Sequence, residues 1–358
     1  MARTHRIAVI AGDGIGPEVV REGLRVLERA AAAHGFRIEP TRYPFGAEHF
    51  LKTNEIFPDS AFTEVRGHDA ILLGAIGDPR IEVGLLEFGI IAKMRFELDL
   101  YVNLRPVKLY AEHLCPLKDT TPDDVDFVVV RENTEDAYAG MRGFFKRGTP
   151  DEVATQEIIF TRKGVERAVR YAFELARKRN RAKKLTLIDK ANAVRAMDLW
   201  TRTFAEVGAE YPDIARDHQY IDAACMYLVR DPRQYDTVVT SNMFGDIFTD
   251  LAAMIQGGLG IAASGNIHPG RVSLFEPIHG SAPKYANQNV ANPIATIMAA
   301  SMMLEYLGEP RAARHIENSV AGLIQSKRLP SLGTDSGLST TQIGDLVIEA
   351  MEKAGVPA

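Results

Sequence analysis

The sequence predicts an α/β protein with more than one core, on three observations: short apolar runs alternating with amphipathic stretches, a glycine-rich turn joining the first of each, and a length of 358 residues. The apolar runs are Ile7–Ala11, Ala70–Ala75, Phe127–Val130, Leu185–Ile188 and Val238–Thr240. Each has the length and continuous apolar character of a strand buried on both faces. Between the first two, Pro17–Ala33 puts Val20, Leu24 and Leu27 on one helical face, with Pro17 in a first turn where its missing N–H costs nothing. Strands alternating with helices give a sheet covered by helices. The length exceeds one modest core and suits two domains, or one core split by an insertion. No repeat, low-complexity tract or Ser/Gly linker marks a boundary, so it lies in ordered chain.

Composition narrows the function classes. With 46% hydrophobic and 25% charged residues the chain is globular, and no apolar run approaches the roughly 20 residues that span a bilayer. Met1-Ala-Arg-Thr-His-Arg6 leads directly into the first strand without a signal-peptide pattern, so a cytoplasmic location is expected. Cys115 and Cys225 stand in unrelated segments, which predicts buried thiols rather than a disulfide framework or zinc site. A net charge of −5 argues against nucleic acid, which is bound by clustered cations that release counterions. The basic stretch Arg177–Arg181 reads as a solvated helix end.

Four groups of residues carry chemistry. Gly12-Asp-Gly-Ile-Gly16-Pro17 follows a strand and opens a helix, but its G-x-G-x-G spacing matches a dinucleotide fingerprint poorly. A tight turn with glycines at positive φ is the alternative. In Ser241-Asn-Met-Phe-Gly-Asp246-Ile-Phe-Thr-Asp250, two carboxylates stand four apart and would repel on one helical face unless a cation lay between them. Oxygen ligands favour Mg²⁺ or Mn²⁺; the alternative makes Asp246 a helix cap and Asp250 a solvated side chain. Arg95, Arg105 and Arg131 each end or flank an apolar run, where converging guanidiniums would take a multiply carboxylated ligand and isolated ones would form surface ion pairs. Tyr138 and Lys190 are candidates for proton transfer, against a plain strand-end charge for the lysine.

Taken in order, Gly12–Glu18, Asn103–Pro106, Val130–Glu135, Asp189–Asn192, Asn242–Asp250, Glu276–Pro283 and Ala291–Pro293 resemble the β-decarboxylating dehydrogenase family, whose members act on 3-isopropylmalate, isocitrate, homoisocitrate, tartrate or D-malate. The resemblance implies the two-lobe isocitrate/isopropylmalate dehydrogenase-like α/β fold, not a Rossmann fold. Its first lobe would comprise 1–100 and 253–358 and bind cofactor; its second would be 101–252. It implies a homodimer with shared active sites, in which Lys190 and Asp222 serve the partner. Asp222, Asp246 and Asp250 would hold Mg²⁺ or Mn²⁺, Lys190 and Tyr138 would move protons, and the three arginines would hold the carboxylates of a small 2-hydroxy acid.

The same resemblance assigns cofactor binding to Glu87, Asn192, His279, Gly280, Ser281, Ala282, Pro283, Lys284, Tyr285 and Asn292. Lys284-Tyr285 replaces the acidic residue usual after Ala-Pro in NAD-using isopropylmalate enzymes, so NAD is expected with NADP as the alternative. Near Arg95 the side chains Ile90, Ile91 and Ala92 are apolar, and Lys93 is the one cation. An isopropyl group would lie against Ile90 and Ile91, which points to 3-isopropylmalate of the leucine pathway, with tartrate or D-malate, isocitrate and homoisocitrate as alternatives. A non-catalytic regulatory subunit and a metal-dependent hydrolase or lyase without nicotinamide are the readings of other classes.

Overall fold

The computed structural model describes residues 3–355. The chain forms two compact units: Met1–Leu100 with Lys108–Asp123 and Ala253–Ala358, and Tyr101–Val107 with Asp124–Ala252. Segment 108–123, expected in the second lobe, belongs to the first. Lys108 and Tyr110 both bond Glu317 there (2.5 and 3.0 Å), and Leu114 packs on that unit's core. Its short apolar content gave no sign of which core it would join.

In the first unit the strands run in the order Arg37–Tyr43, Thr4–Gly12, Ala70–Ala75, Ser273–Pro277, Ala263–Ile267. The first four are parallel and the last is antiparallel to its neighbour. The period of two along a strand sorts side chains to opposite faces. Ile7, Val9, Ala70 and Leu72 meet the helices Gly16–His34, Ile294–Tyr306, Pro310–Gln325 and Thr340–Ala354. Ala8, Ile10, Ile71 and Leu73 meet Phe45, Phe57, Phe62 and the segment Leu86–Leu98. Burial on both faces is why these strands read as unbroken apolar runs. The expected helix over 17–33 is Gly16–His34, with Pro17 in its first turn and Gly35 closing it at φ 77°.

The glycine turn is structural. Gly12 and Gly14 have φ of 72° and 56°, Asp13 N–H donates to Ala75 O (2.7 Å), and Ile15 N–H donates to Ser281 O (2.8 Å). The Asp13 carboxylate accepts from the amides of Ala47 and Gly77, 2.6 and 2.9 Å. Amides spent inside the protein are not aimed at a phosphate, so the turn ties three loops together.

In the second unit the order is Val102–Lys108, Asp126–Glu132, Thr237–Thr240, Lys184–Asp189, Ala215–Tyr220, the last four being parallel. Helices Arg162–Arg179 and Asp198–Gly208 cover it, and the hairpin Arg142–Phe145 with Val153–Gln156 stands as a separate antiparallel pair. Of the basic stretch, Arg177, Lys178 and Arg181 are exposed at the end of the helix Arg162–Arg179, as expected, Arg177 pairing with Asp213 on the surface; Arg179 alone is half-buried, between Asp126 and Asp236. Both cysteines are free and half-buried rather than buried. Among the described residues no helix is long and apolar enough to cross a membrane.

Candidate active site

In the second unit the chemistry gathers on the helix Asn242–Ile255, which starts two residues after the strand Thr237–Thr240. The Asp136 carboxylate accepts from the Met243 amide (2.9 Å) at the start of this helix. That overturns the reading of Asp246 as the cap: it lies one turn in, with Asp250 one turn further. Asp246 Oδ1 accepts from Arg131 at 2.6 Å and from Arg105 at 3.1 Å, and Asp250 lies 3.6 Å from Arg105. Tyr138 donates its hydroxyl to Asp246 Oδ2 at 3.3 Å, with the Arg131 guanidinium over its ring. Arg105 and Arg131 are buried, so neither is a surface ion pair. Gly245 makes the approach possible: a Cβ there would lie 2.6 Å from Arg131 Cγ.

Electrostatics follow from this crowding. Burial pushes the Asp250 carboxyl up, opposed by Arg105 and reinforced by Asp246. Burial and the Asp246 charge push the Tyr138 phenol up, so it keeps its proton as a donor. Lys190 donates to Asp222 at 2.7 Å, a bond that holds the Asp222 carboxyl below its usual range. These two form a separate group at the ends of the strands Lys184–Asp189 and Ala215–Tyr220. Within the described residues of one chain no three His, Cys, Asp or Glu side chains gather as a metal site. Asp246 and Asp250 fit a hard divalent cation as two carboxylate donors one turn apart, and Asp222 of the same chain does not join them. Asn192 is exposed, two residues after Lys190.

The first unit carries the remaining candidates. Arg95 is held by Glu276 Oε1 at 3.0 Å, an oxygen that also accepts from Asn266 (2.7 Å). Glu87 opens the turn of π-helix Glu87–Ala92 and lines a 290 Å³ cavity with Gly77, Leu86, Gly280, Ser281 and Pro283. Ile90 is wholly buried in the core with Met94, which overturns its role as a substrate contact. Ile91 and Ala92 stay half-exposed, four and three residues before Arg95 and so on its side of the segment. Lys93 is spent on Asp59 (2.6 Å) and on the rings of Phe57 and Phe62.

His279 Nε2 and Asn292 Nδ2 are buried without a protein partner, and burial holds the His279 imidazole neutral by lowering its pKa. Orphaned polar atoms in a native fold ask for a ligand or water, so these two fit a purine-type acceptor and donor edge. Ala282 has φ 41°, bending the loop, and the Lys284 ammonium sits 4.6 Å from the Tyr285 ring centroid.

The model for isocitrate/isopropylmalate dehydrogenase matches residues 6–347. The chain is 50% identical over 358 residues to 3-isopropylmalate dehydrogenase of Thermobifida fusca, covering 99% of each. It is 51% identical over 325 residues to 3-isopropylmalate dehydrogenase of Frankia casuarinae, covering 90% of this chain and 93% of that one. The solved isocitrate dehydrogenase of Methylococcus capsulatus superposes with a TM-score of 0.88 at 38% identity, over 97% of this chain and 99% of the other. The chain belongs to the isocitrate/isopropylmalate dehydrogenase family.

Membership makes it a decarboxylating dehydrogenase and sets aside the hydrolase reading. Four residues of this family member escaped the sequence analysis as functional residues: Asn103, Asp136, Asn242 and Glu276. Three of them lay inside the quoted segments, but nothing in a segment says which member touches a guanidinium. Glu132 is a fifth, next to Arg131. Its oxygens accept from the amides of Thr134 and Glu135 and from the Thr134 hydroxyl, and burial pushes its carboxyl up to about 7.

A carboxyl whose folded pKa lies above its unfolded value holds an extra proton in the folded state through that window. Stability therefore falls as pH rises from about 4.5 to 7 and levels off above, by at most about 3 kcal/mol. Glu132→Gln removes the titration, so urea unfolding across this range should show a smaller fall for the variant. Parallel wild-type and variant curves would contradict the assignment.

Proposed function

We propose that the protein oxidises and decarboxylates 3-isopropylmalate to 2-oxo-4-methylpentanoate, with NAD as hydride acceptor, as a cytoplasmic homodimer of the leucine pathway. The observation that carries the reading is the identity of 50% and 51% to relatives named for that reaction, over nearly the whole chain. Ile91 and Ala92 beside Arg95 support it, since an apolar substituent on C3 gains about 0.8 kcal/mol per buried methylene and a third carboxylate would gain nothing there. With Lys93 turned to Asp59, the segment offers no second cation to a larger acid.

In this reading Arg95, Arg105 and Arg131 hold the two carboxylates, and their forks orient C2. The Lys190 amine takes the proton of the C2 hydroxyl as the hydride leaves C2. Tyr138 then returns a proton to C3, the carbon that has lost carbon dioxide, a role that its retained proton suits. Asp246 and Asp250, with Asp222 of the partner subunit, would hold Mg²⁺ or Mn²⁺, which when bound polarises the hydroxyl and the adjacent carboxylate. NAD, when bound, supplies the hydride acceptor, with His279 and Asn292 offered to the adenine, Gly280 to Pro283 forming the loop, Glu87 to the ribose beside nicotinamide, and Asn192 to the cofactor. Lys190 and Asp222 belong to the partner's chemistry in this account. Apolar side chains left exposed on the helix Ile221–Arg230 (Met226, Tyr227, Val229) and on the hairpin (Phe144, Phe145, Val153) support the homodimer.

Two measurements test the reading. Reduction of NAD by purified protein with Mn²⁺ should be fastest with 3-isopropylmalate among 3-isopropylmalate, isocitrate, homoisocitrate, tartrate and D-malate; a clear preference for another acid would overturn the substrate. Lys284, stacked on Tyr285, is the one cation after Ala-Pro, and a 2′-phosphate would need it. Lys284→Asp should therefore lower kcat/KM with NADP at least about tenfold more than with NAD. Equal losses with both cofactors would remove the lysine from cofactor choice.

A further inference from the structure

Guanidiniums buried in proteins are most often held by carboxylates, which fix them and cancel their charge. Arg105 and Arg131, the two buried arginines among the described residues of the second unit, are held differently along the Nε edge. Arg131 donates both Nε–H and Nη2–H to the single amide oxygen of Asn242, at 3.0 and 2.8 Å. Arg105 donates Nε–H to the amide oxygen of Asn103 at 2.7 Å and Nη1–H to the Thr249 hydroxyl at 2.6 Å. All three acceptors are neutral and buried. The Asn242 amide is fixed in this orientation because its nitrogen donates to Glu135 O at 3.1 Å, leaving the oxygen to face the guanidinium.

We propose that Asn103 and Asn242 are positioning residues that lock Arg105 and Arg131 along the Nε edge without adding negative charge to that of Asp246 and Asp250, so that the cluster can still take the carboxylates of the substrate. Asp246 is shared between the two guanidiniums, and Asp250 lies beside Arg105. Two cations against two carboxylates already balance, and a carboxylate in place of either amide would tip the cluster negative where a dianion must bind. Against the guanidinium an aspartate is nearly isosteric with asparagine and accepts the same hydrogen bonds, more strongly, while at position 242 it gives up the donation to Glu135 O. It would therefore keep the hold on the guanidinium and spoil the charge. The hold on the guanidinium is thereby separated from electrostatics, most cleanly at position 103, and the inference rests on the reading of the arginines as carboxylate-binding groups.

The test compares Asn103→Asp with Asn103→Ala, and Asn242→Asp with Asn242→Ala, by KM for 3-isopropylmalate and by calorimetric Kd for it without nicotinamide. Alanine removes the acceptor and should weaken binding a few-fold, whereas aspartate should weaken it by about tenfold more than alanine at each position, with KM for NAD within about twofold of wild type. The two positions sit on different elements, so a folding defect in one pair leaves the other informative. Aspartate variants that bind as well as or better than the alanine variants at either position would show that the amides serve geometry alone and would overturn the proposal. If wild type prefers another 2-hydroxy acid, the substrate reading fails by itself, and the same comparison with that acid decides the inference.

Discussion

The carboxylate of Asp246 is the point on which the second unit's chemistry turns. One oxygen receives Arg131 and Arg105 together, the other receives Tyr138, and Asp250 follows one helical turn later. Two buried guanidiniums without an anion would be expelled or unfold their surroundings, because isolated charges in a low-dielectric interior cost several kcal/mol each. Two carboxylates stacked on one helix face without cations would repel. Each pair makes the other tolerable, and in the proposed function the cluster exchanges these internal partners for a carboxylated ligand and a divalent ion.

The arrangement depends on backbone features with no chemistry of their own. Asp136, at φ 73°, supplies the acceptor for the Met243 amide and so fixes where the helix Asn242–Ile255 begins. Gly245 removes the one Cβ that would hold Arg131 off the helix. In the first unit the glycine turn does comparable service: Gly14 lets Ser281 O accept from Ile15 N–H, tying the loop that carries His279 to the start of the helix Gly16–His34. A motif that looks like a phosphate cradle acts here as the anchor of a different loop.

Much of this was legible in the sequence, for identifiable reasons. Every apolar run falls inside a strand, because strands covered on both faces are built mainly from apolar residues. The edge strands Arg37–Tyr43 and Ala215–Tyr220 are largely exposed and carry few apolar residues, so periodicity could not find them. Asp246 and Asp250 were legible because four-residue spacing fixes a shared face. Ile90 was misjudged for the related reason that apolar character does not tell inward from outward; only the register of the turn, which pairs Ile90 with Met94 and Ile91 with Arg95, separates them. The amide clamps were invisible because asparagine has many uses, and a guanidinium three dimensions away leaves no local trace.

The central claim is that Asp246 and Asp250 change partners when the site is loaded. It is tested most directly by anomalous diffraction from crystals of the protein grown with Mn²⁺ and 3-isopropylmalate. The account predicts one strong peak bonded to oxygens of Asp246 and Asp250 and of Asp222 from the partner subunit, with the substrate carboxylates on Arg95, Arg105 and Arg131. A peak away from the helix Asn242–Ile255, or a substrate bound while Asp246 keeps both guanidiniums and no metal, would contradict it.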